Sequence, residues 1–361
     1  QAAFAAWRGE DNPYEALPKL QVMTYRLPDD LREIARREDM SFDLNEFFRA
    51  ERHGDTARFA HEAEVQRWLE MQRGRLGHYE DAAQDRKRPP LPFEDVTLLD
   101  ALRHTVWLLP GVDACLAMRD MLEAPRNAAT YGRFEVVLAA GPAAGMGTRA
   151  LGPVRKAMGP DAEATATITL SCGKLMTGVS VPPWTGIFML RGLEAPESYF
   201  QAAFRVQTPW VRHDPGEAPH VIKRTCYVFD YDPNRALRLI ADYHGRLGGG
   251  DRGDGRRGAE ESLREFLRFM PVLCYDGASM VEVDAGQLLD IAVAGVGAGM
   301  LARRWQSAAM INVDTATLDR LLARQEVVAT LSRIEAFRNI SRDAERIVSA
   351  DRAVRQAKAE G

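Results

Sequence analysis

Apolar residues recur along the chain with two spacings, and the switches between them mark out its elements. Residues 19–25 alternate Leu20, Val22 and Thr24 with Gln21, Met23 and Tyr25 between Pro18 and Pro28, which predicts a short strand. Continuous apolar or β-branched runs at 103–109, 134–140, 166–171, 185–190 and 226–231 predict buried strands. Between them the spacing of three and four takes over. Val112, Cys115, Leu116, Met118, Met121 and Leu122 predict a helix over 111–123, and further helices are expected at 151–158, 197–206 and from Asp232 through Tyr243. Asp232 is placed to cap the last of these, with Pro233 in its first turn. Strands that alternate with helices imply an α/β fold, a parallel sheet covered on both faces.

Two stretches interrupt this rhythm. From 29 to about 85 the pattern is helical and heavily charged, with Leu31, Ile34, Phe42, Phe47, Phe48, Val65, Trp68 and Leu69 on apolar faces, which suggests a helical insertion. It closes on a basic, Pro-rich run at 86–92, either a solvated stiff linker or a phosphate contact. The Gly-rich run 246–258 is the clearest boundary. Beyond it, helical spacing at 261–270, 287–309 and from Thr315 onward predicts a helical C-terminal accessory domain over 259–361, with a short strand or turn at 280–283. The expected units are therefore 1–28 with 99–245 as the sheet domain, 29–98 as the insertion, 246–258 as linker and 259–361 as accessory domain.

Composition narrows the class only a little. The 361 residues are 46% apolar, enough for a sizeable core, and the net charge of -4 excludes a uniformly basic coat without excluding a local basic groove. Cys115, Cys172, Cys226 and Cys274 are too widely spread for zinc-type pairs and read as reduced core residues. No run of 18 apolar residues and no secretion-signal layout occurs, so the expectation is a cytoplasmic protein with no membrane partner. Gln1 opens what reads as the middle of a helix, and the chain is expected to come from a longer one.

Candidate chemistry gathers in one stretch. After the strand at 166–171, Gly173 and Gly178 bracket a turn within Ser171-Cys-Gly-Lys-Leu-Met-Thr-Gly-Val-Ser-Val-Pro182, and a strand and a helix follow. On that helix Gln201 and Arg205 lie four apart and are neighbours on one side. Arg suits a developing charge on a transferring phosphoryl group, being always protonated and donating in a planar fork. Taken alone, Q-x-x-x-R is equally two surface side chains. Residues 141–148 invite a phosphate-loop reading that fails on identity, since Met146 and Gly147 stand where Gly and Lys are required. No Asp-Glu pair follows an apolar strand to hold magnesium, and Gly295 to Gly299 does not meet the dinucleotide pattern. His213, Asp214, Glu217 and His220 lack ligand spacing and fit a polar loop better than a metal site.

Taken in order, Thr177-Gly178-Val179 with Pro182, an intervening strand, and Gln201 with Arg205 resemble the second motor domain of superfamily-two helicases, in particular the ATP-dependent translocase subunits of restriction enzymes. Ala202 stands where that family usually has its first arginine, Phe204 where it has glycine and Thr208 where it has the last arginine, so one candidate arginine finger remains, Arg205. The resemblance implies a RecA-like sheet. It implies ATP and Mg2+ held mainly by a preceding RecA-like domain, with Arg205 reaching the γ-phosphate and Gln201 orienting it. Thr177 and Gly178 would then line the nucleotide site, and Lys174 and Thr177 would touch double-stranded DNA. A helix cap is the alternative for Thr177, and water for Lys174. A nuclease or methyltransferase domain or subunit would be a further partner. The competing reading is a catalytically inert RecA-like module that binds DNA or docks a protein; a small-molecule enzyme lacks any grouped nucleophile, base and orienter.

Overall fold

A computed structural model of the chain describes residues 14–35, 42–74, 91–141, 150–173, 175, 179–216, 218–245, 255–275 and 280–288. All of these belong to the first of its two compact units, Gln1–Arg303; the second, Arg304–Gly361, lies outside the described residues. In chain order the elements are β1 (Lys19–Tyr25), α1 (Asp29–Glu33), α2 (Leu44–Phe47), β2 (Ala50–His53), β3 (Thr56–Phe59) and α3 (Glu62–Met71). Then come α4 (Val96–Ala101), β4 (His104–Leu108), α5 (Val112–Glu123), α6 (Ala128–Tyr131), β5 (Glu135–Leu138), α7 (Leu151–Met158), β6 (Thr167–Ser171) and β7 (Gly186–Met189). The last are α8 (Pro196–Ala203), a 3-10 turn (Phe204–Gln207), β8 (Val211–Arg212), β9 (His220–Val221), β10 (Thr225–Asp230), α9 (Pro233–His244), α10 (Gly255–Phe269), β11 (Val272–Tyr275) and β12 (Met280–Glu282).

Eight strands form one sheet in the order β12-β11-β1-β10-β7-β4-β6-β5, and every neighbouring pair is parallel except β11–β12. This is an α/β fold of the kind expected, compatible with a RecA-like sheet. Every residue of β4, β6 and β7 is buried, as strands covered on both faces require. Alternation sends Met23, Tyr25, Trp107, Ile168, Leu170, Phe188 and Phe229 into one core cluster with α5. Val22, Val106, Leu108, Ile187, Met189 and Val228 are equally buried and point to the other face. Gly186 opens β7 because a Cβ there would come 2.5 Å from Leu102 Cδ2.

Starting at β4, the chain runs outward to β5, returns to β6, then crosses β4 to reach β7 and β10. Neighbours β4 and β7 thus send their following helices in opposite directions, which makes their carboxyl ends a topological switch point.

The segment expected as a helical insertion is more closely built into the core than its charge suggested. It contains an antiparallel hairpin, β2–β3, which a pattern dominated by charge had hidden. Phe47, Phe48 and Trp68 share the sheet's core cluster. Ring contacts run from Phe48 to Trp68 (5.2 Å), Trp68 to Trp107 (5.7 Å), Trp107 to Phe188 (4.9 Å) and Phe188 to Phe229 (4.7 Å), so aromatic edges and faces tie α3 to three central strands. A buried polar set adds direction: Gln66 and Asn127 exchange amide hydrogen bonds of 2.9 and 3.0 Å, and Arg73 donates to Asn127 Oδ1 at 3.1 Å.

The C-terminal side also departs from expectation. β11 lies parallel to β1 with Val22 opposite Val272, and β12 completes the edge, so Val272–Tyr275 and Met280–Glu282 extend the main sheet although they follow the Gly-rich run. Apolar runs this short carry no period, and the pairing is decided by partners about 250 residues away in sequence, as for Thr24 Oγ1 donating to Leu273 O across 249 positions. The helices expected from 289 onward lie outside the described residues.

At the amino end of β4 the imidazole of His104 is fully buried, with Nδ1 2.9 Å from Thr167 Oγ1 and Nε2 2.7 Å from the carbonyl of Ala162. Burial lowers its pKa, and burial likewise lowers that of His244. As pH falls below the unfolded value of about 6.5, the unfolded chain takes up the proton first. Stability is therefore full above about pH 6.5 and declines below it. The urea midpoint is expected to drop between about pH 7 and pH 5, with a shallower slope in His104→Asn; a midpoint flat over that interval contradicts the assignment.

Candidate functional site

Strand β6 ends at the carboxyl edge of the sheet and β7, parallel to the same neighbour β4, starts at the amino edge. The connection must therefore cross the full height of the sheet. Its described residues, 172, 173, 175 and 179–185, contain no helix, so its carbonyls need donors from elsewhere. Val179, Val181 and Trp184 are buried and fix its path, and two cations supply donors.

The first cation is Lys223, two residues before β10 and only 3% exposed. Its Nζ donates to the carbonyls of Pro182 (2.7 Å), Trp184 (2.7 Å) and Val206 (2.8 Å). An ammonium has three protons, and all three are used. Burial pushes its pKa down to about 8, against a smaller pull upward from Cys226, so it stays mostly charged at neutral pH.

The second cation is Arg205. α8 leads from the carboxyl end of β7 back toward the amino end of β10, and its last turn tightens into the 3-10 turn that carries this residue. Nη1 donates to Val179 O at 2.6 Å and Nε to Gln201 O at 3.1 Å. Arg205 is half-buried, whereas Gln201 and Phe204 beside it are exposed. Gln207 Nε2 donates to Pro18 O at 3.2 Å and ties the same turn to the start of β1.

A different cluster closes the carboxyl edge. Asp230, wholly buried at the end of β10, accepts two hydrogen bonds of 2.8 and 2.9 Å from Arg235 Nη2. Arg235 Nη1 donates to Arg191 O at 2.6 Å, and Arg191 Nη1 to Cys172 O at 3.0 Å, so one relay of guanidinium and carbonyl joins the ends of β10, β7 and β6. Asn45 Oδ1 accepts from Gly192 N at 2.9 Å and brings the segment around α2 to the same edge. Burial raises the pKa of Asp232 against the pull of Arg235, and burial, with the nearby Asp230 carboxylate, raises that of Tyr199.

Of the residues singled out in the sequence, Arg205 and Gln201 stand at the amino-edge rim, while Lys174, Thr177 and Gly178 lie outside the described residues. Val179 and Pro182, from the same motif as Thr177 and Gly178, are described, and they meet Arg205 and Lys223 respectively. The two motifs are thus in direct contact. In the 211–221 loop, Asp214 accepts from Arg212 at 2.9 Å, and no group of three or more His, Cys, Asp or Glu is arranged to hold a metal among the described residues. Cys115, Cys226 and Cys274 are buried and Cys172 is half-buried, and none of the four is in a disulfide. No described helix is long and apolar enough to cross a membrane. Sequence reasoning missed Lys223 and the Asp230–Arg235 pair. Lys223 carries no local signal, since its acceptors lie 17, 39 and 41 positions away; an Asp closing an apolar strand five residues before an Arg was visible and is the sign of the other.

No family model matches the chain. It is 30% identical over 158 residues to a Mycoplasma pneumoniae (strain ATCC 29342 / M129 / Subtype 1) protein named "Putative type II restriction enzyme and methyltransferase RM.MpnORF110P C-terminus". The match covers 43% of this chain and 20% of that protein's length, so the chain spans about a fifth of the curated relative it matches.

Removing Arg235 would leave the Asp230 carboxylate buried and unpaired. Arg235→Met is therefore expected to destabilise by about 3–5 kcal/mol in urea unfolding, and Asp230→Leu combined with Arg235→Met by less than the single change. A loss below about 1 kcal/mol for Arg235→Met would show the pair to be dispensable.

Proposed function

We propose that the chain is part of a restriction-type DNA-processing enzyme and forms the second RecA-like lobe of its ATP-dependent helicase or translocase. The observation that carries this is the contact between the two motifs: Arg205 sits half-buried on the turn after α8 with Nη1 2.6 Å from Val179 O, so arginine and loop share one rim. The parallel sheet, and the similarity to a protein whose name includes restriction enzyme and methyltransferase, support the same reading.

On this reading a preceding RecA-like lobe holds ATP and Mg2+, and this chain's residues fit the complementary part. Its guanidinium at an open rim suits the charge that develops on a transferring γ-phosphoryl group, and Gln201, one turn earlier, orients it. The 174–178 stretch supplies the remaining contacts, Thr177 and Gly178 toward the nucleotide and Lys174 and Thr177 toward phosphates of double-stranded DNA. A nuclease or methyltransferase domain or subunit acts on the DNA that the motor moves. Because Arg205 donates to the carbonyl of Val179, a shift of its guanidinium toward a phosphate would couple arrival of nucleotide to the loop assigned to DNA.

One observation favours a second reading, an inert module that binds DNA or docks a protein. Both donor sites described for Arg205 end on backbone carbonyls, and Ala202 and Thr208 replace the first and last arginines of the motif. ATP turnover in the full-length protein separates the two. Arg205→Ala is expected to lower turnover by about 10³ to 10⁵-fold with a smaller effect on nucleotide affinity, and the chain expressed alone is expected to show none. Unchanged turnover in Arg205→Ala removes this residue from the site and leaves the inert module.

A further inference from the structure

We infer that Lys223 is a positioning residue that locks the stretch 182–184 to the turn carrying Arg205, so that loop and arginine move as one body. The kinetic consequence rests on the nucleotide reading above, whereas the lock itself is a property of this chain alone.

Three carbonyls from two separate segments converge on one nitrogen. Pro182 O and Trp184 O belong to the β6–β7 connection, and Val206 O lies one residue past Arg205. The acceptors surround the ammonium from different directions, which its three diverging N–H groups can meet and a planar guanidinium fork cannot. No ion pair to a carboxylate accompanies it among the described residues, so its charge is spent wholly on backbone. Charge-assisted bonds of this length are stronger than neutral ones, and in a site 3% exposed water does not compete for them.

Arg205 likewise donates to backbone carbonyls but is less deeply buried. It belongs to the same turn as Val206 and reaches across to Val179 in the same connection that Lys223 holds at Pro182 and Trp184. The two cations therefore bridge the same pair of segments at two points, one sealed and one open. With the sealed bridge in place, a swing of the Arg205 side chain leaves the turn where it is. Without it, the hydrogen bond described between turn and loop is the part-buried one from Arg205 to Val179 O, and the arginine loses its fixed origin.

The test uses the full-length protein that contains this chain, with Lys223→Met, Lys223→Gln and Arg205→Ala. Hydrogen exchange is read over 179–185 and 204–207, and ATP turnover is separated into kcat and KM. Lys223→Met is expected to lose protection in both segments together while the central strands β4 and β7 keep theirs. It is also expected to lower kcat by about 10²-fold with KM nearly unchanged, the cost of a misplaced catalytic group. Lys223→Gln, which keeps a donor at the site, is expected to recover part of both, and it carries the test if the Met variant fails to fold. Arg205→Ala should loosen the 179–185 segment and leave 204–207 protected. Protection kept in either segment, or lost evenly across the whole sheet, overturns the lock. Should Arg205→Ala abolish turnover while Lys223→Met leaves kcat intact, the positioning role fails and the nucleotide reading stands. Should Arg205→Ala leave turnover unchanged, the nucleotide reading fails and the exchange pattern alone decides for or against the lock.

Discussion

Backbone that crosses a sheet outside a helix must find hydrogen-bond donors for its carbonyls away from its own strand, and the described residues of the β6–β7 connection, none of them helical, find them on Lys223 and Arg205. In an ordinary βαβ crossover the helix satisfies its own backbone and the connection needs nothing from outside. Here the carbonyls of Val179, Pro182 and Trp184 face side chains of later elements. Lys223 and Arg205 thereby link the loop, the turn and the entry to β10.

The rest of the fold holds those partners in register. α8 can deliver Arg205 and Val206 to the amino edge because Tyr199 and Phe200 are buried along its length, and the stacked rings of Phe200 and Tyr243, 4.0 Å between centroids, set α8 against α9. At the opposite edge, the Asp230–Arg235 pair and the bonds through Arg191 and Cys172 join the ends of β10, β7 and β6. Both ends of the β6–β7 connection are thus pinned by cations donating to backbone, a buried lysine at one edge and two arginines at the other.

Much of this was legible in the sequence where a period or a cap was at stake. The strand at 19–25 and the helix at 151–158 have the bounds expected of them, and Asp232 caps α9 by accepting from Arg235 N. The hairpin β2–β3 was hidden because β2 is almost wholly polar and β3 has only Ala57 and Phe59 turned to the core, too few to mark a period among the charges around them. β11 was missed because four apolar residues after a helix have no period of their own and gain a place only through distant β1. Arg205 was found through the spacing of its neighbours. Lys223 was not, because an ammonium that binds backbone carbonyls leaves no trace in the identity of its partners.

The Nζ of Lys223 joins loop and turn, and it can be observed directly by nitrogen-detected or proton-detected NMR of lysine-labelled protein. An ammonium resonance whose protons exchange slowly with water at neutral pH, with couplings to the carbonyls of Pro182, Trp184 and Val206, is the predicted result. A resonance averaged by fast exchange like that of a surface lysine, or one belonging to a neutral amine, would contradict it.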